Sequence, residues 1–188
     1  IAGIYSGRLA DQGELLSLAD ADGNLIFACQ YSTAAPWPSV HGGLSLVLID
    51  PALDANRPDS WRASLAPDGT PGGTDSVPFD GDPLADTDRD GVPAILEYLH
   101  GTSDSDPTAG PGLMEASPAG QTWFTLSFPR RLGTDSARAF VETSTDLRTW
   151  NRATQLSADP PVNGIRRETW GTPTAGRPSL FLRLRAEW

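Results

Sequence analysis

Between Asp86 and Glu97 the chain reads DTDRDGVPAILE, four carboxylates in twelve residues with a glycine at the bend. Like charges about 4 Å apart cost on the order of 1 kcal/mol per pair in water, and ~4 kcal/mol at an effective dielectric near 20. A chain that brings these side chains to one point therefore needs a cation there. Without one they splay outward as a solvated acidic turn. The spacing favours convergence. With Asp86 as position 1, Asp88 is position 3, Asp90 position 5, Gly91 position 6 and Glu97 position 12. That satisfies the calcium-loop pattern D-x-[DN]-x-[DN]-G-x5-E at every specified place.

The chemistry accounts for the residue types. Calcium takes roughly six to eight oxygens at about 2.3–2.6 Å. Alternate residues of a tight loop point inward, so positions 1, 3 and 5 converge, and Gly91 permits the bend. Val92, at position 7, offers its backbone carbonyl. Ala94, at position 9, has no side-chain oxygen, so a water is needed there. Glu97 returns from the first helical turn and can bind through both oxygens. The expected ligand set for one Ca2+ is Asp86, Asp88, Asp90, the Val92 carbonyl and Glu97.

Residues 76–112 read as a Pro/Asp/Gly-rich connector with one short helix. Pro93 suits a first helical position, Ile95, Leu96 and Leu99 give an apolar face, and Gly101 suits the position after the helix. Two turns are too short to be stable alone, so the helix needs a neighbour or an ion. Upstream, VPFDGDPLA carries Pro78, Gly81 and Pro83, which argues against the incoming helix of a full EF-hand. The segment resembles the calcium loops of dockerin and thrombospondin type 3 repeats, which lack that helix. HGTSDSDP is similar to the trailing part of such repeats, and Asp104 and Asp106 are candidates for the same ion or a second one.

Charge is unevenly spread. Residues 1–75 carry 9 acids and 3 arginines, a net −6; residues 76–112 carry 8 acids and one arginine, −7; residues 113–188 carry 7 acids and 10 arginines, +3. Lysine is absent. An acidic chain repels nucleic acid and anionic membrane. No stretch approaches the ~18 apolar residues of a membrane helix. The N-terminus, IAGIYSGRLA, has no signal-peptide pattern and reads as a cut from a longer chain. Cys29, the sole cysteine, excludes an internal disulfide and reads as a small buried hydrophobe.

The flanks read as strands, as 19 glycines and 17 prolines in 188 residues favour short elements. In GELLSLADADGNLIFACQY two apolar runs bracket an Asp-Gly turn, a strong hairpin signal. GGLSLVLIDP is a strand that ends at Pro51. TWFTLSF, ARAFVETST and SLFLRLRAEW alternate in period two. Phe124, Leu126 and Phe128 share one side; Leu180, Leu182, Leu184 and Ala186 share another, opposite Arg183, Arg185 and Glu187. A second small antiparallel β-sandwich follows from that pattern.

YSGRLADQGELLSLADADGN, APWP, GGLSLVLIDP, NRPDSWR and GTPG together resemble the second half of a bacterial lamin tail domain. The resemblance covers residues 1–73 and implies a partial immunoglobulin-like β-sandwich. The family's opening strands are missing from it, so an incomplete sheet with exposed apolar edges is expected. The order of half lamin tail, calcium loop and arginine-rich β module resembles the C-terminal end of large secreted proteins of planctomycete and verrucomicrobia type. Some of those carry a kinase-like domain of the spore coat protein H type upstream. The expected organisation is a lamin-tail-like half over 1–75, a calcium-loop connector over 76–112 and a β module over 113–188, in a mainly β chain.

No active-site pattern stands out. Neither a G-x-S-x-G elbow, a phosphate-binding glycine loop nor a zinc spacing is present. His41 lies in a glycine-rich loop. His100 ends the helix, where a cation is favourable. Most of Arg130, Arg131, Arg166, Arg167, Arg183 and Arg185 fit solvent-facing alternation. A basic face for an anionic polysaccharide is the alternative. Trp37 and Trp61 read as core or loop packing, and Trp123, Trp150, Trp170 and Trp188 as core or a sugar-stacking platform. The expectation is a non-catalytic, calcium-stabilised structural or adhesion region of a secreted or cell-surface protein. Its partners would be calcium and either surface polysaccharide or other domains of the parent protein. A carbohydrate- or polyanion-binding module and a fragment of a calcium-dependent hydrolase are the alternatives.

Overall fold

A computed structural model describes residues 8–110, 115–116 and 122–188. The opening residues of the lamin-tail-like segment and the start of the 113–188 module lie outside that set. The protein is mainly β, with antiparallel sheets and one short helix. It divides into two compact units, Ile1–Gly73 and Thr74–Trp188.

The first unit holds two antiparallel pairs. β1 (Leu15–Ala19) and β2 (Leu25–Gln30) form the hairpin predicted around DADGN. Asp20 closes its turn. One carboxylate oxygen accepts the Asn24 amide at 2.8 Å, and Gly23 takes φ 85°, which costs glycine nothing. β3 (Leu44–Leu48) pairs with β4 (Trp61–Pro67). The turn at 54–56 ties the pairs together. The Ala55 carbonyl accepts from Cys29 Sγ at 3.0 Å and from Trp61 Nε1 at 2.8 Å, and Asn56 Oδ1 accepts the Gln30 amide at 3.0 Å. Cys29 is buried and its thiol pKa is pushed up, first by desolvation and then by Asp54. Trp37 and Trp61 pack with their rings tilted 40° and their centroids 6.1 Å apart. Leu15, Leu18, Leu25 and Ile26 of the hairpin are exposed.

In the second unit, β5 (Glu115–Ala116), β6 (Trp123–Arg131), β9 (Thr154–Ala158) and β10 (Ile165–Pro173) form a sheet in the order β5-β6-β10-β9. β7 (Arg138–Ser144), β8 (Asn151–Arg152) and β11 (Phe181–Glu187) form another, ordered β11-β7-β8. The alternation predicted for these strands sets their packing. Phe128, Leu126 and Trp170 of the first sheet meet Val141, Ala139, Leu182 and Leu184 of the second, with Ala153 between. Phe128 and Val141 are fully buried. Two sheets with their apolar faces together bury area worth roughly 25 cal/mol per Å2.

The helix α1 (Ala94–His100) closes one end of this core. Ile95 and Leu99 pack with Ala137, alongside Phe79, Tyr98, Ala139 and Ala186. Pro93 is the residue before the helix, one place earlier than expected, and extended at φ −64°, ψ 144°. Gly101 ends the helix at φ 80°, its amide on the Glu97 carbonyl at 2.7 Å. The connector's helix is thus part of the second unit and takes its stability from β6 and its neighbours, which answers the need for a packing partner.

Two side chains pin α1 to the sheet. His100 is buried, and its Nδ1–H donates to the Pro129 carbonyl at 2.8 Å. Burial holds its pKa below the ordinary value. Arg130 departs from solvent-facing alternation. It points inward from β6 and donates to the carbonyls of Leu99 at 3.4 Å, Arg131 at 3.1 Å and Ala137 at 3.1 Å, and to the Thr134 hydroxyl. Desolvation pushes its pKa down to about 10. Convergent carbonyls supply the acceptors that alternation alone cannot reveal. Arg183, by contrast, lies on the outer face, bonded to Glu142 at 2.7 Å and stacked 3.9 Å over Trp150.

Two measurements check this packing. Phe128→Ala should cost about 3–5 kcal/mol, read as a lowered urea midpoint; a loss below about 1 kcal/mol would show that the sheets do not meet there. The second concerns His100. Its folded pKa lies below the unfolded value of about 6.5, so its contribution is full above that value and is lost as pH falls through the folded one. The drop in melting temperature between about pH 7.5 and about pH 5 should be smaller in His100→Gln than in the wild type. Equal drops would contradict a neutral buried His100.

Candidate metal centre

The acidic loop is closed by backbone hydrogen bonds before any side chain is considered. The Ala94 amide donates to the Ala85 carbonyl at 2.8 Å and the Ile95 amide to Pro83 at 3.2 Å, which brings the two ends of 86–93 together. The Leu96 and Glu97 amides both reach the Pro93 carbonyl, at 2.8 and 3.2 Å. The first turn of α1 therefore has its amides satisfied. Inside the loop, Arg89 and Gly91 take φ 64° and 92°.

Each aspartate uses an oxygen to shape the loop. Asp86 Oδ2 accepts the Gly91 amide at 3.1 Å, Asp88 Oδ1 the Asp90 amide at 3.2 Å, and Asp90 Oδ1 the Val92 amide at 2.8 Å. These side-chain turns are the habit of aspartate in tight loops. Asp88 keeps its second oxygen, Oδ2, buried and without a donor among the described residues. One oxygen from each of Asp86, Asp88 and Asp90 lies within 4.8 Å of the others, a group that could hold a metal ion. The structure thus gathers three of the predicted ligands. The Val92 amide is held by Asp90 Oδ1, which fixes the loop at position 7.

Glu97 stands outside that tight group but against it. It is 1% exposed, and its Oε2 meets no hydrogen-bond donor among the described residues; the same is true of Asp88 Oδ2. Thr102 Oγ1 donates to Oε1 at 3.3 Å. Burial, then the charge of Asp88, then those of Asp90 and Asp104, outweigh that bond and raise the Glu97 pKa to about 7. A buried carboxylate with an orphaned oxygen is costly unless a proton or a cation meets it. Hard carboxylate oxygens suit Ca2+, Mg2+ or Mn2+ and not a soft metal.

Of the two further candidates, Asp104 and Asp106, it is Asp104 that bonds the loop. Its Oδ1 accepts the Thr87 amide at 2.9 Å and its Oδ2 the Thr87 hydroxyl at 2.6 Å. Those bonds and one with the Glu97 carboxyl hold its pKa below the usual carboxylate range. Asp106 instead bonds its own neighbour Thr108, at 2.7 and 3.0 Å. The trailing HGTSDSDP was the available signal, but it did not distinguish these two aspartates. The His41 loop brings no further His, Cys, Asp or Glu into a comparable cluster among the described residues.

Replacing the buried acid tests whether a cation meets it. Glu97→Gln should melt in EDTA at or above the wild-type temperature, because an uncompensated buried charge is removed. It should also lose most of any shift that a divalent cation gives the wild type. A shift equal to the wild-type one would remove Glu97 from the site.

Comparison with known proteins finds no matching family model, no matching curated protein and no matching solved structure.

Proposed function

We propose that residues 86–97 bind one calcium ion, with Asp86, Asp88, Asp90, the Val92 carbonyl and Glu97 as ligands, and that the ion is structural. The observation that carries this reading is the pairing of a three-aspartate cluster with a glutamate 1% exposed and short of a donor. The twelve-residue spacing selects calcium over magnesium. A bidentate acid at position 12 and a backbone carbonyl at position 7 build a high coordination number, whereas magnesium demands a small octahedron.

The ion's work would be mechanical. Loop and helix are continuous in sequence, and α1 is packed in the core of the second unit. Bound calcium would neutralise the loop, hold Glu97 and so brace the end of the sandwich that α1 closes. Such a module is non-catalytic, and it suits a secreted or cell-surface protein working in a calcium-rich medium. Extracellular sites of this kind bind at roughly 10⁻⁴–10⁻³ M. Other domains of a longer parent protein, or a surface polysaccharide, are its partners in this reading. Among the described residues no helix is long and apolar enough to cross a membrane.

Calorimetric titration should show one calcium site in that range. At a hundred times Kd, calcium should stabilise the fold by ~2.7 kcal/mol. Magnesium should give a much smaller shift, and EDTA should reverse the calcium effect. No heat on titration together with identical melting in calcium and EDTA would end this reading.

A further inference from the structure

Asp104 lies seven residues beyond Glu97 and outside the twelve-residue loop, yet its hydrogen bonds place it at the loop. Both its oxygens are engaged by Thr87, the second loop residue, at 2.9 and 2.6 Å. Glu97 is itself nine-tenths and more buried, with Oε2 short of a donor. A further carboxylate tied to a loop that already gathers three aspartates, with Glu97 buried just beyond it, adds repulsion unless something positive lies near. Thr87 satisfies Asp104, and Glu97 Oε2 stays without a donor among the described residues.

We infer that Asp104 is the positioning residue of the cation site, closing it from behind. It holds Thr87, and with it the Asp86–Asp88 stretch, at a fixed distance from Glu97. It also adds a negative charge to a loop whose position 9, Ala94, supplies no side-chain oxygen. The turn after α1 delivers it. The Thr102 amide bonds the Glu97 carbonyl at 3.0 Å, and Gly101 at φ 80° reverses the chain, so residues 102–104 run back along the loop. Cation affinity would therefore depend on the segment after the helix as well as on the loop. This inference rests on the calcium reading above and adds a residue to it.

The test is calcium titration by calorimetry on the whole chain, comparing wild type, Asp104→Asn, Thr87→Val and Asp106→Asn, with melting curves in EDTA. Asp104→Asn keeps an acceptor for the Thr87 amide but removes the charge. Its calcium Kd should rise about tenfold or more, the usual cost of losing a residue that orients metal ligands. Its melting in EDTA should stay at or above wild type, because a like charge beside Glu97 is gone. Thr87→Val should weaken calcium binding in the same direction, and Asp106→Asn should leave it within about twofold. An unchanged Kd in Asp104→Asn, while the wild type binds, overturns this inference alone. A lower EDTA melting temperature with an unchanged calcium-induced shift also overturns it, since that marks a purely structural clasp. Absence of calcium binding by the wild type overturns both this inference and the reading beneath it.

Discussion

A carboxylate withdrawn from water with one oxygen left over is the constraint around which residues 83–106 are arranged. Glu97 is buried because α1 is buried, and α1 is buried because Ile95 and Leu99 pack with Ala137 in a cluster beside the sandwich core. The helix cannot turn Glu97 out to solvent without giving up those contacts. At the same time the aspartate turns fix Asp86, Asp88 and Asp90 close to one another. Apolar packing and acidic convergence are thus imposed on one another through two turns of helix.

The sandwich can bear that strain because its anchors are hydrogen-bonded throughout. Arg130 finds carbonyls at the helix end and in the following loop, and His100 finds the Pro129 carbonyl. Proline at 129 leaves β6 without one ladder donor, but the carbonyl of the same residue is what receives the helix. Buried polar groups that are satisfied add rigidity, whereas among the described residues Glu97 Oε2 and Asp88 Oδ2, like Thr143 Oγ1 in β7, lack a partner. The contrast in one small region separates the parts that build the fold from the part suited to a cation.

Much of the fold was legible because short-range rules decide it. Gly23 and Asp20 specify the hairpin, Gly101 ends the helix, and the alternation in β6, β7 and β11 names their buried faces. The aspartates at positions 1, 3 and 5 were legible for the same reason, since side-chain turns act over two to five residues. Arg130 lies two places beyond Phe128, so period-two alternation already put it on the apolar face; what the sequence did not carry is the set of carbonyls that receives it there. The Thr87–Asp104 clasp spans 17 residues, and the Arg183–Trp150 stack joins separate elements. Neither leaves a periodic trace.

By itself the sequence determined a mainly β chain, the places of its turns and a loop whose acids are spaced to converge. Each of these depends on neighbours a few residues apart, where glycine, proline and aspartate restrict the backbone directly. Only the tertiary structure decided that the connector's helix is core to the second unit, that Glu97 is sealed from solvent, and that Asp104 rather than Asp106 reaches the loop. Those outcomes depend on which surfaces meet after the chain has folded back on itself, and burial of a charge is a property of that meeting, not of the residues alone.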